Sequence, residues 1–252
     1  MLFDLRGHVA LVTGGNGGIG LGMARGLAKA GASVAVWGRN PKKNDAAVAE
    51  LASLGATAAA FEVDVTSEEQ VASAMKRTLE RLGRVDSCFA NAGVGKAAAF
   101  PEMTLADWHQ VTDINLVGAF LTFREAARHM IDRGGSGKLV GIASIGSIHG
   151  MPRQAQYSAS KAGLCAMVRS LAVELARHDI QANAILPGWI ETDMTEGARA
   201  WDKLRETVVQ RTPARRWGKP RDFEGIAVYL ASPASNFHTG DTIRVDGGYA
   251  VF

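Results

Sequence analysis

A tyrosine and a lysine in the segment YSASK, residues 157–161, are the side chains best suited to acid–base chemistry in this sequence. A helix through the segment would place Tyr157 and Lys161 about one turn apart on one face. A phenol can give or take a proton at a carbonyl or alcohol oxygen, and a neighbouring ammonium lowers the pKa of the phenol. The alternative is an exposed helical pair without function, so the context of the pair must decide.

The free energy needed to activate the tyrosine indicates where the pair must lie. A free tyrosine has a pKa of about 10, and lowering it by about 3 units takes roughly 4 kcal/mol. A unit charge about 4 Å away supplies about 1 kcal/mol in water, but about 4 kcal/mol at an effective dielectric constant of 20. Lys161 can therefore activate Tyr157 only in a cleft shielded from water.

Ser144 and Asn115 are two further polar residues in places that favour a role. Ser144 ends a predicted strand ahead of Tyr157, and its hydroxyl could donate to a developing oxyanion. The surrounding GIASI lacks the G-x-S-x-G pattern of a hydrolase nucleophile, and a turn-capping serine is the alternative. Asn115 lies within a predicted helix among the apolar residues of INLVGAF, which favours a buried asparagine over a solvent-facing one.

The segment TGGNGGIG, residues 13–20, follows the first predicted strand and opens a helix. Glycines at Gly14, Gly18 and Gly20 would let the backbone turn tightly and approach a pyrophosphate. The N-terminus of the helix would then offer free N–H groups and partial positive charge. Five glycines in eight residues exceed what a plain strand–helix turn needs, so the segment predicts a dinucleotide site.

Residues after the second, third and fourth strands extend the predicted nucleotide site. After the second strand, VWGRN has Arg39 and no carboxylate until Asp45, which favours NADP(H) over NAD(H) because a guanidinium can bind a 2′-phosphate. Asp64 after the third strand either accepts from the adenine amino group or marks the start of the next helix. The small residues of NAG, 91–93, either leave room for a ligand or form a plain turn.

Short apolar runs alternate with segments of helical spacing along the whole chain. This alternation predicts one α/β domain with a doubly wound, seven-stranded parallel sheet covered by helices on both faces. The predicted strands are 8–13, 33–37, 58–63, 85–90, 138–144, 180–186 and 241–245, and the clearest helices are 18–30, 43–54, 67–82, 104–131, 157–177 and 221–231. Residues 188–220 interrupt the alternation, so we expect a substrate lid at about 189–218.

Composition excludes several classes of protein. The 252 residues are 47% apolar and 21% charged, as expected of a globular domain, and the net charge of +3 is too small to indicate a nucleic-acid or membrane partner. Two cysteines in apolar surroundings, Cys88 and Cys165, predict buried free thiols in a reducing cytoplasm. The six histidines have no ligand spacing, so no metal site is expected.

Taken together, these motifs resemble the short-chain dehydrogenase/reductase family over essentially the whole chain. The matching elements are TGGNGGIG, Asp64–Val65, NAG at 91–93, Asn115, Ser144, YSASK, Pro187–Gly188 with Thr192, and VDGG at 245–248. The resemblance implies a single-domain Rossmann fold spanning residues 1–252, a nicotinamide cofactor, and a soluble, cytoplasmic, tetrameric enzyme whose tetramer forms through the helices at 104–131 and 157–177 and the C-terminal strand. It also implies the catalytic residues Asn115, Ser144, Tyr157 and Lys161, with Asn115 bending its helix and holding a water, and Lys161 binding the ribose.

The resemblance extends these assignments to the cofactor and substrate contacts. The expected cofactor contacts are Gly14, Asn16, Gly18, Ile19, Gly20, Arg39, Asp64, Val65, Asn91, Ala92, Gly93, Tyr157, Lys161, Pro187, Gly188, Ile190 and Thr192. The expected substrate pocket comprises Ser144, Ile145, His149, Met151, Trp189, Met194 and Trp201, although a lone loop histidine such as His149 is more often a surface residue. These mostly large, apolar side chains favour a medium-sized cyclic, aromatic or acyl ketone over a bare sugar.

The sequence therefore predicts an NAD(P)-dependent oxidoreductase that interconverts a ketone and a secondary alcohol. A β-ketoacyl thioester reductase is an alternative, because residues 199–221 carry eight Lys or Arg against Asp202 and Glu206 and could meet an acidic carrier protein. A solvated helix face explains that charge equally well. A nucleotide-sensing protein without catalysis would lack Tyr157 or Lys161, and both are present.

Overall fold

The computed structural model describes residues 2–252, and the strands of this part of the chain form one parallel sheet. The strands are β1 Val9–Thr13, β2 Ser33–Gly38, β3 Ala58–Glu62, β4 Ser87–Ala90, β5 Gly137–Ile142, β6 Ile180–Pro187 and β7 Thr242–Val245. Their order across the sheet is β3-β2-β1-β4-β5-β6-β7, and every pair of neighbours is parallel. The predicted doubly wound, seven-stranded sheet is confirmed.

Helices follow the strands in the order that the sequence predicts. They are α1 Gly18–Lys29, α2 Pro41–Ser53, α3 Glu68–Leu82, α4 Leu105–Thr112, α5 Gly118–Asp132, α6 Ala155–Leu175, α7 Glu196–Ala200, α8 Asp202–Arg211 and α9 Glu224–Ala231. The predicted helix at 104–131 is divided into α4 and α5 by a π-helical turn at Asp113–Val117. A π turn widens the helix locally and is frequent at functional sites.

Apolar side chains cover both faces of the sheet. On one face, Leu11, Cys88 and Leu139 of the central strands pack in a core with residues of α3, α5 and α6. On the other face, Val12 and Val140 pack with residues of α1 and α9. Because the central strands are buried on both faces, they read as continuous apolar runs rather than as alternating patterns.

Residues 188–220 contain helices that the sequence analysis did not predict. The segment contains α7 and α8, and the next strand, β7, begins only at Thr242. The sequence of α8, DKLRETVVQR, has only three apolar residues, so it lacks the wide apolar stripe by which the other helices are recognised. Trp189 and Trp217 pack edge to face in this region, with ring centroids 5.3 Å apart.

Cys88 and Cys165 are both buried free thiols, as predicted. Burial raises the pKa of the Cys88 thiol well above its usual range, so this side chain behaves as a small apolar residue. Among the helices of residues 2–252, none has the length and apolar composition that crossing a bilayer would require.

Close packing of α1 against α9 gives a test of the fold. A Cβ on Gly26 would lie 2.6 Å from the backbone oxygen of Glu224, so Gly26→Ala must separate the two helices. We expect this substitution to lower the free energy of unfolding by about 1–3 kcal/mol, measured by urea denaturation. The matched control is Gly225→Ala in α9, where a Cβ meets no atom within 4 Å and the gain in helix propensity should stabilise the fold. Equal effects of the two substitutions would contradict this packing.

Candidate functional site

A cavity of about 480 Å³ lies at the carboxyl ends of the strands, where the strand order reverses between β1 and β4. This position is where open parallel sheets bind nucleotides, because helices leave the sheet in opposite directions on either side of it. The walls come from the glycine loop, the ends of β2 to β6, the start of α6 and the residues after β6.

Thr13 and Asn91 join the two strands that flank the reversal point. The Thr13 hydroxyl accepts hydrogen bonds from the backbone N–H groups of Asn91 and Ala92, both at 3.0 Å. The Asn91 side chain donates in return to the carbonyl oxygens of Thr13, at 2.9 Å, and Gly14, at 3.2 Å. These bonds fix the position of the glycine loop relative to the end of β4.

The glycine loop has the geometry that a pyrophosphate requires. Gly14 and Gly18 have positive φ angles of 61° and 50°, which other residues adopt only with strain. A Cβ on Gly20 would lie 2.3 Å from the carbonyl oxygen of Gly14, so only glycine lets α1 pack this closely on the loop. The first N–H groups of α1 have no partner within the helix and remain available to a phosphate. The residues present therefore fit a dinucleotide.

The end of β2 is closed by amides rather than by a carboxylate. The Asn16 side chain donates to the side-chain oxygen of Asn44 at 2.7 Å, and Asn44 donates to the backbone oxygen of Gly38 at 2.9 Å. A Cβ on Gly38 would lie 2.3 Å from the Asn16 amide nitrogen, so an aspartate at this position would displace Asn16. Arg39 follows on the cavity wall, and none of the ion pairs within residues 2–252 involves it.

Asp64 stabilises a turn and lies in the cavity lining. Its carboxylate accepts from the backbone N–H of Thr66 at 3.0 Å and from the Thr66 hydroxyl at 2.8 Å, so it stabilises the turn before α3. The side chain that caps α3 is Ser67. The bonds from Thr66 hold the pKa of the Asp64 carboxyl below its usual range, and Asp64 also lines the cavity.

Tyr157 and Ser144 meet in the cavity. Ser144 is buried, and its hydroxyl oxygen accepts a hydrogen bond from the backbone N–H of Gly146 at 3.0 Å. Because one lone pair is used in this way, the O–H of Ser144 remains free to donate towards a ligand. Burial raises the pKa of Tyr157, and the neighbouring Ser144 hydroxyl partly opposes the shift.

Lys161 is buried one turn further along α6, and its ammonium donates to the backbone oxygen of Ile142 at 2.7 Å. Burial lowers the pKa of this ammonium to about 8. In the protein alone the pKa of Tyr157 is raised, which differs from the expectation that Lys161 lowers it. The physical reason is that the lysine points its ammonium at a carbonyl while both side chains lose hydration.

Asn115 lies outside the cavity lining but directly behind it, in the π-helical turn. Its side-chain oxygen accepts from the backbone N–H of Val94 at 2.8 Å, and its amide donates to the Val94 oxygen at 3.0 Å. A Cβ on Gly93 would lie 3.1 Å from the Asn115 oxygen and 3.3 Å from the Lys161 nitrogen. Asn115, Gly93 and Lys161 therefore pack around one point at the end of β4.

Most residues expected at the cofactor do line the cavity. The exception is Gly20, which supports the loop from behind. Of the seven residues expected at the substrate, Ser144 and Met194 line the cavity, whereas the walls do not include Ile145, His149, Met151, Trp189 and Trp201. Trp201 is 61% exposed and Trp189 packs against Trp217, so the apolar side chains that favoured an apolar ketone are not gathered here.

Sequence reasoning missed several residues of the wall. They are Gly17, Trp37, Gly38, Lys43, Val63, Val94, Ile114, Ile142, Ala143, Asp193 and Thr195. Most of them adjoin a predicted residue, so the ends of the predicted strands would have indicated them. Lys43 and Asp193 are far apart in sequence and belong to no motif, so only the folded chain brings them together.

Known proteins resemble this chain over nearly its full length. The family model described as enoyl-(acyl carrier protein) reductase matches residues 14–250. A gluconate 5-dehydrogenase of Gluconobacter oxydans is 37% identical, covering 99% of this chain and 97% of the relative. A 3-oxoacyl-[acyl-carrier-protein] reductase of Synechocystis is 38% identical, covering 98% and 99%. The structure of a gluconate 5-dehydrogenase from Burkholderia cenocepacia, in complex with NADP and tartrate, is 36% identical with a TM-score of 0.95, covering 100% of this chain and 98% of that one.

The buried charge of Lys161 predicts a pH-dependent penalty on folding. Its folded pKa of about 8 lies below its ordinary value of 10.5, so the fold disfavours the charged form. This penalty is complete below pH 8 and disappears as the pH rises through 10.5. Replacing the ammonium by an apolar chain of similar length, in Lys161→Met, should therefore change the free energy of unfolding more favourably at pH 7 than at pH 9.5, by about 2 kcal/mol.

Chemical denaturation of both proteins at the two pH values measures this difference. The control is Lys203→Met on the exposed surface of α8, where the effect of substitution should vary little with pH. A Lys161→Met effect that is equally large at both pH values would show that the ammonium is not buried at a cost.

Proposed function

Because the chain belongs to the short-chain dehydrogenase/reductase family, we propose that Tyr157, Ser144, Lys161 and Asn115 carry its reaction. The protein is an NAD(P)-dependent oxidoreductase that transfers hydride between nicotinamide and a ketone or secondary alcohol. The observation that supports these four residues is their convergence at the cavity where the glycine loop would hold the dinucleotide. The nicotinamide supplies or accepts the hydride, and the side chains handle the proton and the oxygen.

Tyr157 is the general acid in ketone reduction and the general base in alcohol oxidation. Its raised pKa keeps the phenol protonated in the protein alone, which suits the acid role. Ser144 would hold the reacting oxygen, because its own oxygen accepts from the Gly146 N–H and its hydroxyl can donate to a substrate oxygen beside Tyr157. The serine stabilises negative charge as it develops on that oxygen.

Lys161 binds and orients rather than reacting directly. Its buried ammonium has one protein acceptor, the Ile142 oxygen, and retains donors for hydroxyl groups of the cofactor ribose. Its charge also favours the tyrosinate that must form during oxidation. Asn115 helps to position Lys161 and Tyr157, because it holds Val94 and the small residues at the end of β4.

Arg39 favours NADP(H) as the cofactor. It is on the cavity wall at the end of β2, and the amide of Asn16 occupies the space that a residue-38 carboxylate would need. An NAD-preferring site usually places such a carboxylate on the adenosine ribose. The relative from Burkholderia cenocepacia was solved with NADP, which supports the same choice here.

The relatives direct the search for the substrate to two classes. Gluconate 5-dehydrogenases act on a hydroxylated acid, and the 3-oxoacyl-[acyl-carrier-protein] reductase acts on an acyl thioester. The thioester alternative draws on the basic segment 199–221, where Arg205 pairs with Asp202 and Arg216 with Asp222 while most other basic side chains are exposed. We propose a hydroxylated acid as the first class to test, because the aromatic side chains expected at the substrate do not line the cavity.

The segment 189–218 is proposed as the substrate lid, and the protein as a homotetramer of the cytoplasm. Support for the lid is that Met194 lies over the cavity beside Gly95, while Trp201 is exposed. Support for association is the exposure of large apolar side chains in the two helical regions named for the interface and in the residues after the C-terminal strand: Leu105, Val117, Phe120, Val173, Val251 and Phe252. Exposed apolar groups of this size mark sites of protein contact.

Tyr157→Phe tests the proposed function most simply, because it keeps the ring and removes the proton. We expect turnover to fall on the order of 10³-fold, with cofactor binding retained. The assay is consumption of NADPH or NADH against a panel that includes keto acids of sugars, cyclic ketones and β-ketoacyl thioesters. The control is Tyr229→Phe, whose hydroxyl contacts His238 at 3.1 Å outside the cavity. A Tyr157→Phe enzyme with more than about a tenth of wild-type turnover in a chemistry-limited assay would exclude the proposed role.

A further inference from the structure

An ion pair crosses the mouth of the cavity at its adenosine end. The ammonium of Lys43 in α2 lies 2.7 Å from a carboxylate oxygen of Asp193, and both residues line the cavity. Their backbones are 150 positions apart in the chain. Lys43 follows Arg39 after β2, whereas Asp193 follows Thr192 after β6, and both pairs of residues line the cavity.

The backbone around Lys43 fixes the direction from which its side chain approaches. Asn40 caps α2, and its side-chain oxygen accepts from the backbone N–H of Lys43 at 3.0 Å. Pro41 begins the helix, which places Lys43 in the first turn, four residues after Arg39. Two cationic side chains and the positive end of a helix therefore point to one region of the cavity.

The residues around Asp193, after β6, are also held in place by local contacts. Thr192 packs on the glycine loop, since a Cβ on Gly18 would lie 3.2 Å from its methyl group. The backbone N–H of Thr192 donates to the hydroxyl of Thr195 at 3.1 Å, which closes the short turn that begins at Asp193. Asp193 therefore directly follows the residue of the proposed lid that contacts the glycine loop.

The ion pair is weak enough for a ligand to displace. Both side chains are exposed, Lys43 by 54% and Asp193 by 86%, and exposed pairs of this kind contribute little to stability. A phosphate dianion brings more charge and more acceptor oxygens than a carboxylate, so it competes well for the same ammonium. There is open space beside Gly17 of the glycine loop for a phosphate, because a Cβ on Gly17 would meet no atom within 4 Å.

We propose that Lys43 is a second residue that recognises the 2′-phosphate of NADP(H), and that Asp193 holds this lysine until the phosphate replaces it. The inference rests on the proposed use of NADP(H) and adds a specificity-determining residue to Arg39. It also links cofactor choice to the lid, because a bound 2′-phosphate releases Asp193 whereas NAD(H), which lacks this phosphate, leaves the ion pair intact.

Direct binding measurements separate the two cofactors without relying on turnover. Fluorescence titration with NADPH and with NADH gives a dissociation constant for each, in wild type and in each variant. Lys43→Ala should raise the constant for NADPH by about tenfold and change that for NADH by less than about twofold. Lys42→Ala is the matched control, because Lys42 is an exposed lysine in the same helical turn that does not line the cavity.

Asp193→Asn tests the competition itself. Removing its charge should tighten NADPH binding by about threefold and leave NADH binding unchanged, and most of this gain should be lost in the double variant with Lys43→Ala. Equal effects of Lys43→Ala on NADPH and NADH, or equal effects of Lys42→Ala and Lys43→Ala, would overturn the inference.

Arg39→Ala distinguishes failure of this inference from failure of the proposed cofactor choice. If Arg39→Ala weakens NADPH binding and Lys43→Ala does not, the choice of NADP(H) stands and Lys43 has no part in it. If the wild-type protein prefers NADH, both are wrong.

Discussion

The site depends on the burial of one ammonium, that of Lys161, at the carboxyl ends of the central strands. None of the ion pairs within residues 2–252 gives it a carboxylate partner, and the Ile142 oxygen is the acceptor it contacts. A buried cation compensated mainly by dipoles is costly, which is why burial lowers its pKa to about 8. The surrounding backbone holds the ammonium of Lys161 in one position despite this cost. A ligand with hydroxyl groups can then bind to a hydrogen-bond donor that is already in place.

Several features of the sequence follow from making room for this charge. A Cβ on Gly93 would crowd the Asn115 oxygen, at 3.1 Å, and the Lys161 nitrogen, at 3.3 Å, so a larger residue would displace one of these two side chains. Asn115 reaches Val94 because the helix widens into a π turn at that residue. Hydrogen bonds between Thr13 and Asn91 fix the glycine loop to the end of β4. The loop that would hold the pyrophosphate is therefore tied to the strand end that lies beside Lys161.

The sequence predicted the elements whose signals are local. Short, largely apolar runs located all seven strands, and in the five inner strands these runs are continuous because both faces are buried. The edge strands β3 and β7 are only partly buried. The glycine loop and YSASK located the cavity. The helix α8 was missed because its few apolar residues do not form a wide stripe. The amide contact of Asn16 with Asn44, and the pairing of Lys43 with Asp193, could not be predicted because they join residues that are far apart in the sequence. The direction of the Tyr157 pKa shift also depends on burial and on where Lys161 points, which only the folded chain determines.

The central claim is that Tyr157 is a buried phenol whose pKa responds to a cofactor bound beside it, and titration of this phenol tests the claim most directly. The chain has three tyrosines, so their labelled ¹³Cζ resonances can be followed with pH by NMR, and Tyr157→Phe assigns the one in the site. In the protein alone, burial should hold the pKa of Tyr157 above its ordinary value of 10.0. With oxidised cofactor bound, the positive charge of the nicotinamide should lower that pKa. A Tyr157 pKa that oxidised cofactor leaves unchanged would contradict the account.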